Sequence, residues 1–147
     1  MSAPRLCLLS CLLFFAAPLF AAPPADPCHE RRIQVIYWSA EDCSWCQRWD
    51  SEPSLGPAFR RSPTFAKVDF RSVKKPRLAE PYVARDYPPE LDWLRAKVMA
   101  GEVRTPRLVP AWSVFVDHRP IDSYLGTQAW LSRAVDDLRL LVQEVCR

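Results

Sequence analysis

The chain has 147 residues, of which 49% are hydrophobic and 25% are charged, a composition typical of one folded domain and not of a disordered chain. Its 20 Lys and Arg and 17 Asp and Glu leave a formal net charge of +3. The basic residues are spread along the sequence, so nucleic acid is not expected as a partner. Only three glycines and two histidines are present, which argues against a phosphate-binding glycine loop and a multi-histidine metal site.

The first 21 residues have the pattern of a secretory signal peptide. A basic start ending at Arg5 precedes the apolar run Leu6–Ala17, and small residues follow up to Ala22. The run has about 12 strongly apolar residues, fewer than the roughly 20 that span a bilayer. A sequence resembling a lipobox ends at Cys11, but the apolar run continues past it. We therefore expect removal of residues 1–21, export to the periplasm or secretion, and no stable membrane insertion afterwards.

The mature chain is predicted to have a short segment, 22–30, followed by one domain, 31–147. Residues Arg31 to Trp38 form a β-branched and aromatic run that indicates a buried strand. Cys43 to about Arg61 has a helical pattern with a kink expected at Pro53 to Pro57. A second strand is predicted at Thr64 to Arg71. The four prolines within 72–89 predict a loop there, whose role the sequence leaves open.

The second half of the domain is predicted to contain a helix, two strands and a final helix. Their predicted bounds are Pro89–Ala100, Ala111–Val116, Ile121–Leu125 and Ala129–Val145. Gly101 is expected to end the first helix, residues 117–120 to form a hairpin turn, and Thr127 to cap the last helix. The order of elements is therefore β-α-β-α-β-β-α, which predicts an α/β fold with a mixed central sheet.

Four cysteines remain after the predicted signal peptide, and they are Cys28, Cys43, Cys46 and Cys146. An even number in an oxidising compartment predicts disulfides, with three pairings possible. Cys43 and Cys46 are close enough in sequence to face each other across one helical turn. We expect Cys28 and Cys146, which lie outside this pair, to form a structural disulfide.

A CxxC directly after the first core strand, within this element order, resembles the thioredoxin-like superfamily. The resemblance covers residues 31–147 and rests on the segments RIQVIYW, SAEDCSWC, TFAKVDF, VPAWSVFVD and DSYLG. It is closest to exported proteins with a Cys-x-Trp-Cys motif. Cytosolic-type thioredoxins have Trp where this chain has Asp42 and Gly-Pro where it has Ser44–Trp45. They also carry a buried acid within the stretch that is Val35–Tyr37 here, which contains no carboxyl group.

The resemblance implies a thioredoxin-like fold and a redox-active pair. A thiol at a helix N-terminus is stabilised as thiolate, which predicts Cys43 as the nucleophile and the more buried Cys46 as the resolving thiol. A purely structural role for so small a disulfide ring would stabilise little. Val109–Pro110 resembles the family's cis-proline site, with Pro106 as the competing candidate.

Substrate binding is predicted at Trp45, Val109 and Pro110. Trp38 and Trp112 are further candidates for an apolar rim, with core packing as the alternative.

The sequence therefore predicts an exported thiol:disulfide oxidoreductase, monomeric and without a cofactor or metal. Its expected partners are protein substrates with thiols or disulfides and a redox partner protein. Reductants, oxidants and isomerases share the motif, so it does not indicate the direction of exchange. The alternative is a copper-binding or copper-delivery module in which Cys43 and Cys46 bind the ion, with His118 as a further candidate ligand.

Overall fold

Four strands form one mixed sheet in the computed structural model, which describes residues 32–146. The strands are β1 (Ile33–Ala40), β2 (Asp69–Lys75), β3 (Ala111–Val116) and β4 (Arg119–Leu125). Their order across the sheet is β2-β1-β3-β4. β1 is parallel to β2 and antiparallel to β3, which is antiparallel to β4. The predicted mixed sheet is confirmed, whereas segments 1–21 and 22–30 lie outside the described residues.

Helices connect and follow the strands. They are α1 (Ser44–Ser51), α2 (Gly56–Arg60), α3 (Asp92–Met99), α4 (Gly126–Ala129) and α5 (Val135–Val145). A π-helical turn, Trp130–Ala134, joins α4 to α5 in one continuous helical stretch. In the described part of the chain, none of these helices is long and apolar enough to cross a membrane.

The core has two layers because β1 is buried on both faces. Val35 and Tyr37 face the layer that contains α1, α2 and the C-terminal helical stretch. Ile36 and Trp38 face the opposite layer, which contains α3. β1 is therefore the central strand, and its carboxyl end leads directly into the CxxC.

The predicted helix from Cys43 to Arg61 is two helices. The chain becomes extended at Glu52, and Pro53 follows it, so α1 ends there and α2 begins at Gly56. A Cβ on Gly56 would lie 2.6 Å from the Trp49 carbonyl oxygen. Only glycine allows this close approach of α2 to α1.

The predicted second strand was placed too early. Phe65–Lys67 forms a 3-10 turn, because the Phe65 ring packs edge-on against Phe59 at 5.5 Å. The strand itself runs over Asp69–Lys75, so the loop predicted for 72–89 begins only after Lys75.

Two predicted turns also differ from the structure. The hairpin turn consists of Asp117 and His118 alone, both with positive φ (49° and 62°), which is the backbone of a tight type I′ turn. β4 therefore starts at Arg119. The final helical stretch begins at Gly126, whose φ is +79°, and Thr127 lies inside it without capping it.

Candidate active site

Cys43 and Cys46 form a disulfide, with an S–S distance of 2.11 Å and a Cα–Cα distance of 5.2 Å. Cys43 is the N-cap residue of α1, and its sulfur accepts a hydrogen bond from the Cys46 N–H at 3.1 Å. The carboxyl end of β1 and the amino end of α1 thus place the pair at one edge of the sheet.

The helix terminus distinguishes the two sulfurs, whereas burial does not. Cys43 is 2% exposed and Cys46 is 1% exposed. Only Cys43 occupies the cap position. There the Cys46 N–H, which has no partner within the helix, and the positive end of the helix dipole stabilise a negative sulfur. This geometry favours Cys43 as the thiolate when the disulfide is reduced.

A cis-proline lies against the disulfide. The Val109–Pro110 peptide bond is cis, which confirms the prediction and leaves Pro106 without this role. The Val109 carbonyl oxygen is 3.8 Å from the Cys43 sulfur. The Pro110 carbonyl accepts the Gly126 N–H at 2.8 Å, which ties the start of β3 to the start of α4.

An apolar groove of about 670 Å³ runs beside the pair. Its walls come from α1, the segment before β3, and the junction of β4 with α4. Four large apolar side chains in it are exposed, and they are Trp45 at 60%, Leu108 at 65%, Leu125 at 53% and Leu131 at 50%. The three leucines were not predicted, because they come from distant parts of the sequence and meet only in the fold.

One wall of the groove carries an ion pair. Arg48 Nε lies 2.7 Å from Glu52 Oε2, and the Arg48 guanidinium lies 5.8 Å from the centre of the Trp45 ring. Hydrogen bonds from Arg48 and Ser54 lower the pKa of Glu52 below its ordinary value. The groove is therefore mainly apolar, with a pair of opposite charges at one side.

Tyr37 lies beneath the pair, within the stretch where thioredoxins carry a buried acid. Its hydroxyl donates a hydrogen bond to the Cys46 carbonyl at 3.3 Å. Burial, with a smaller contribution from Asp50, raises its pKa well above the ordinary value. The hydroxyl therefore stays protonated and acts as a donor. The sequence showed that a carboxyl group was missing there, but it did not indicate this bond.

Replacing Tyr37 with Phe is expected to lower the free energy of unfolding by about 1 kcal/mol, because a buried hydrogen bond is lost. Tyr87 provides the control, since its hydroxyl is buried without a hydrogen-bond partner among residues 32–146. Tyr87→Phe should leave the stability unchanged or raise it. Denaturant unfolding of both variants measures the difference, and equal losses would contradict the role given to the Tyr37 hydroxyl.

The remaining predicted site residues lie elsewhere. Trp38 and Trp112 are fully buried, so core packing applies to them and not the apolar rim. His118 lies in the hairpin turn, at the end of β3 opposite to Pro110, and stacks on Trp93 at 4.1 Å. It cannot join the cysteines as a copper ligand, which corrects that part of the alternative. No cluster of three or more His, Cys, Asp or Glu in residues 32–146 is arranged to hold a metal.

Cys146, at the end of α5, is disulfide-bonded. Cys28 lies outside the described residues, so the pairing of Cys28 with Cys146 stays a prediction.

Comparison with known proteins gives only distant structural likenesses. No protein-family model matches the chain, and no curated protein matches it. Among solved structures, a thioredoxin of Malassezia sympodialis (Mala s 13) is 18% identical over 79% of each chain, with a TM-score of 0.42. A DsbH oxidoreductase is 15% identical over 93% of this chain and 96% of its own, with a TM-score of 0.44. Spinach chloroplast thioredoxin f is 13% identical over 78% and 76%, with a TM-score of 0.42.

The topology and the site themselves identify the fold. The strand order β2-β1-β3-β4, the CxxC at the start of α1 and the cis-proline before β3 together define a thioredoxin-like fold. A CxxC disulfide at this position is the arrangement of thiol:disulfide oxidoreductases.

Proposed function

We propose that the protein is an exported thiol:disulfide oxidoreductase that exchanges disulfides with protein substrates. The observation that carries the proposal is the position of Cys43. Its sulfur is bonded to Cys46, caps α1, and lies 3.8 Å from the Val109 carbonyl oxygen. A static disulfide does not require a helix terminus or an adjacent open groove, whereas a nucleophilic sulfur benefits from both.

The exchange proceeds in two steps. In the reduced protein, the Cys43 thiolate attacks one sulfur of the substrate disulfide, and the other substrate sulfur leaves as a thiolate that takes up a proton. The Cys46 thiol then loses its proton and attacks the Cys43 sulfur, which releases the second substrate thiol and forms the Cys43–Cys46 disulfide. Two electrons pass to the substrate. The same steps in reverse oxidise a substrate dithiol.

The groove is suited to an extended substrate segment with apolar side chains. Trp45 is the exposed aromatic residue within the motif, and Leu108 and Leu131 extend the apolar surface beside it. The Val109 N–H has no hydrogen-bond partner among residues 32–146. It is available to pair with the backbone of a segment lying along Val109 and Pro110, next to the reactive sulfur.

Exchange with a synthetic disulfide-bonded peptide tests the activity. In this peptide, leucines flank one of the two disulfide-bonded cysteines on both sides. In the control peptide, aspartates replace those leucines. Reduced protein should reduce the leucine peptide faster than a free dithiol does, or oxidised protein should oxidise its reduced form. The aspartate peptide should react more slowly. Exchange no faster than with a free dithiol in both directions would contradict the proposal.

Export is the second part of the proposal, and it is supported by the basic, apolar and small-residue pattern of the first 22 residues. We expect the mature protein outside the cytoplasm, as a monomer that a separate redox protein returns to its starting state. N-terminal sequencing of the exported protein should give a start near Ala22. Protein that is found in the cytoplasm and still begins at Met1 would contradict export.

A further inference from the structure

Lys75 is the only charged side chain in residues 32–146 that is buried, at 4% exposure. It ends β2, beside Ala40 at the end of β1. Its ammonium donates hydrogen bonds to the carbonyls of Leu78 at 2.9 Å and Glu80 at 2.7 Å. A buried ammonium is tolerated only when it is well paired. Lys75 therefore fixes the position of the chain that follows it.

That chain forms a tight turn over residues 77–80, closed by the Glu80 N–H and the Arg77 carbonyl at 3.2 Å. Leu78 occupies the second position of the turn, and its N–H donates to Asp42 Oδ1 at 2.7 Å. Asp42 directly precedes Cys43. The turn thus makes a short, direct contact with the residue next to the N-cap cysteine.

A second contact ties the same segment to the end of β1. The Tyr82 hydroxyl donates to the Ser39 carbonyl at 3.2 Å, and the Tyr82 ring lies 4.8 Å from the Lys75 ammonium. The segment from Pro76 to Tyr82 is therefore held against the strand end on both sides of the turn.

We propose that this turn is a positioning element for the active site. Lys75 fixes the turn through the Leu78 and Glu80 carbonyls. The Leu78 N–H then holds the Asp42 carboxylate and offsets part of its negative charge. A carboxylate free to approach the sulfur would disfavour the thiolate, because like charges raise a thiol pKa. The inference rests on the proposed function, since it matters only if Cys43 reacts as a thiolate. It assigns a role to the segment from Pro76 to Tyr82, which lies outside the CxxC motif.

Several charged residues lie on the elements that meet at the pair, so the test has to separate Asp42 from the others. These residues are Glu41 and Asp42 before the pair, Arg48 and Asp50 on α1, Lys74 and Lys75 at the end of β2, and Arg107 before the cis-proline. A variant that changes only the N–H donor leaves all of these charges in place.

Leu78→Pro is such a variant. Proline is favoured at the second position of the common β-turns and lacks the N–H. Leu78 is not among the residues with positive φ, a conformation that proline cannot adopt. The measurement is the pH dependence of Cys43 alkylation in the reduced protein. Leu78→Pro should raise the apparent pKa of Cys43 by about 0.5 unit, a small shift because the released carboxylate is exposed to solvent. Leu78→Ala keeps the N–H and should titrate like the wild type.

The same measurement in Asp42→Asn protein shows whether the Leu78 N–H acts through the Asp42 carboxylate. If the N–H acts through the carboxylate, Leu78→Pro should have no effect on the Cys43 pKa in that background. Lys75→Met gives a second route, since it frees the turn without changing Leu78 or Asp42. It also removes a positive charge, so its effect on the Cys43 pKa should become smaller with Asp42→Asn without disappearing. An unchanged pKa in Leu78→Pro, or equal shifts in both backgrounds, would overturn the proposal. Alkylation needs no disulfide substrate, so these results are separate from success or failure of the peptide exchange.

Discussion

Replacing Cys43 with serine is expected to reduce peptide disulfide exchange to the uncatalysed background, a loss of at least about 1000-fold. The serine hydroxyl is essentially never ionised at neutral pH, whereas even an unperturbed cysteine is a thiolate to a few per cent. The cap position of Cys43 increases that fraction further. The rate of exchange with the leucine peptide measures the effect.

Two variants on the same helix show whether that loss is specific to the Cys43 nucleophile. Cys46→Ser should still attack a substrate disulfide once, but it should not release the product. Ser51→Ala, at the end of α1 and away from the groove, should retain the full rate. A Cys43→Ser protein that kept turning over the peptide would show that another group is the nucleophile.

Replacing Trp49 with alanine is expected to lower the free energy of unfolding by about 3–5 kcal/mol, because it leaves a large cavity in the core. Trp49 is fully buried and lies 4.6 Å from Tyr37 and 5.3 Å from Trp112, measured between ring centres. It also forms the surface against which Gly56 packs. The loss should therefore loosen the attachment of α1, and with it the position of Cys46.

Trp45 provides a matched control, because it is the same residue type on the same helix, one turn earlier. It is 60% exposed, so Trp45→Ala should change the stability by no more than about 0.5 kcal/mol. Its effect should fall on exchange with the leucine peptide instead. Denaturant unfolding and the exchange assay together separate the two roles, and a large stability loss in Trp45→Ala would contradict the assignment of Trp45 to the groove.

Local patterns in the sequence predicted most of the elements around the site. The apolar run before the CxxC gave β1 within two residues at each end, and Ala111–Val116 coincided with β3. The cis-proline was predicted because the thioredoxin-like resemblance supplied a position for it. These features depend on residues that are close in sequence, or on a motif that identifies its own surroundings.

The contacts that define the site's environment were not predicted, because they join distant residues. Leu78 and Asp42 are 36 positions apart, and nothing in either local sequence indicates their hydrogen bond. The burial of Lys75 was not predicted either, since it depends on the carbonyls of Leu78 and Glu80, which only the folded turn brings to its ammonium. The misplaced β2 has a different cause, because the contacts concerned are between residues close in sequence. The Phe65 ring packs against Phe59 and Phe70, and these contacts favour a turn over a strand at Phe65–Lys67.

The most direct test of the central claim is covalent trapping by a Cys46→Ala protein. Without the resolving thiol, attack by Cys43 on the disulfide-bonded leucine peptide should stop at a mixed disulfide. Mass spectrometry of the digested adduct should place one peptide on Cys43, and a matched Cys43→Ala protein, which keeps Cys46, should form far less adduct. Absence of an adduct on Cys43, or equal adduct formation in both variants, would contradict the claim that Cys43 is the nucleophile of a thiol:disulfide oxidoreductase.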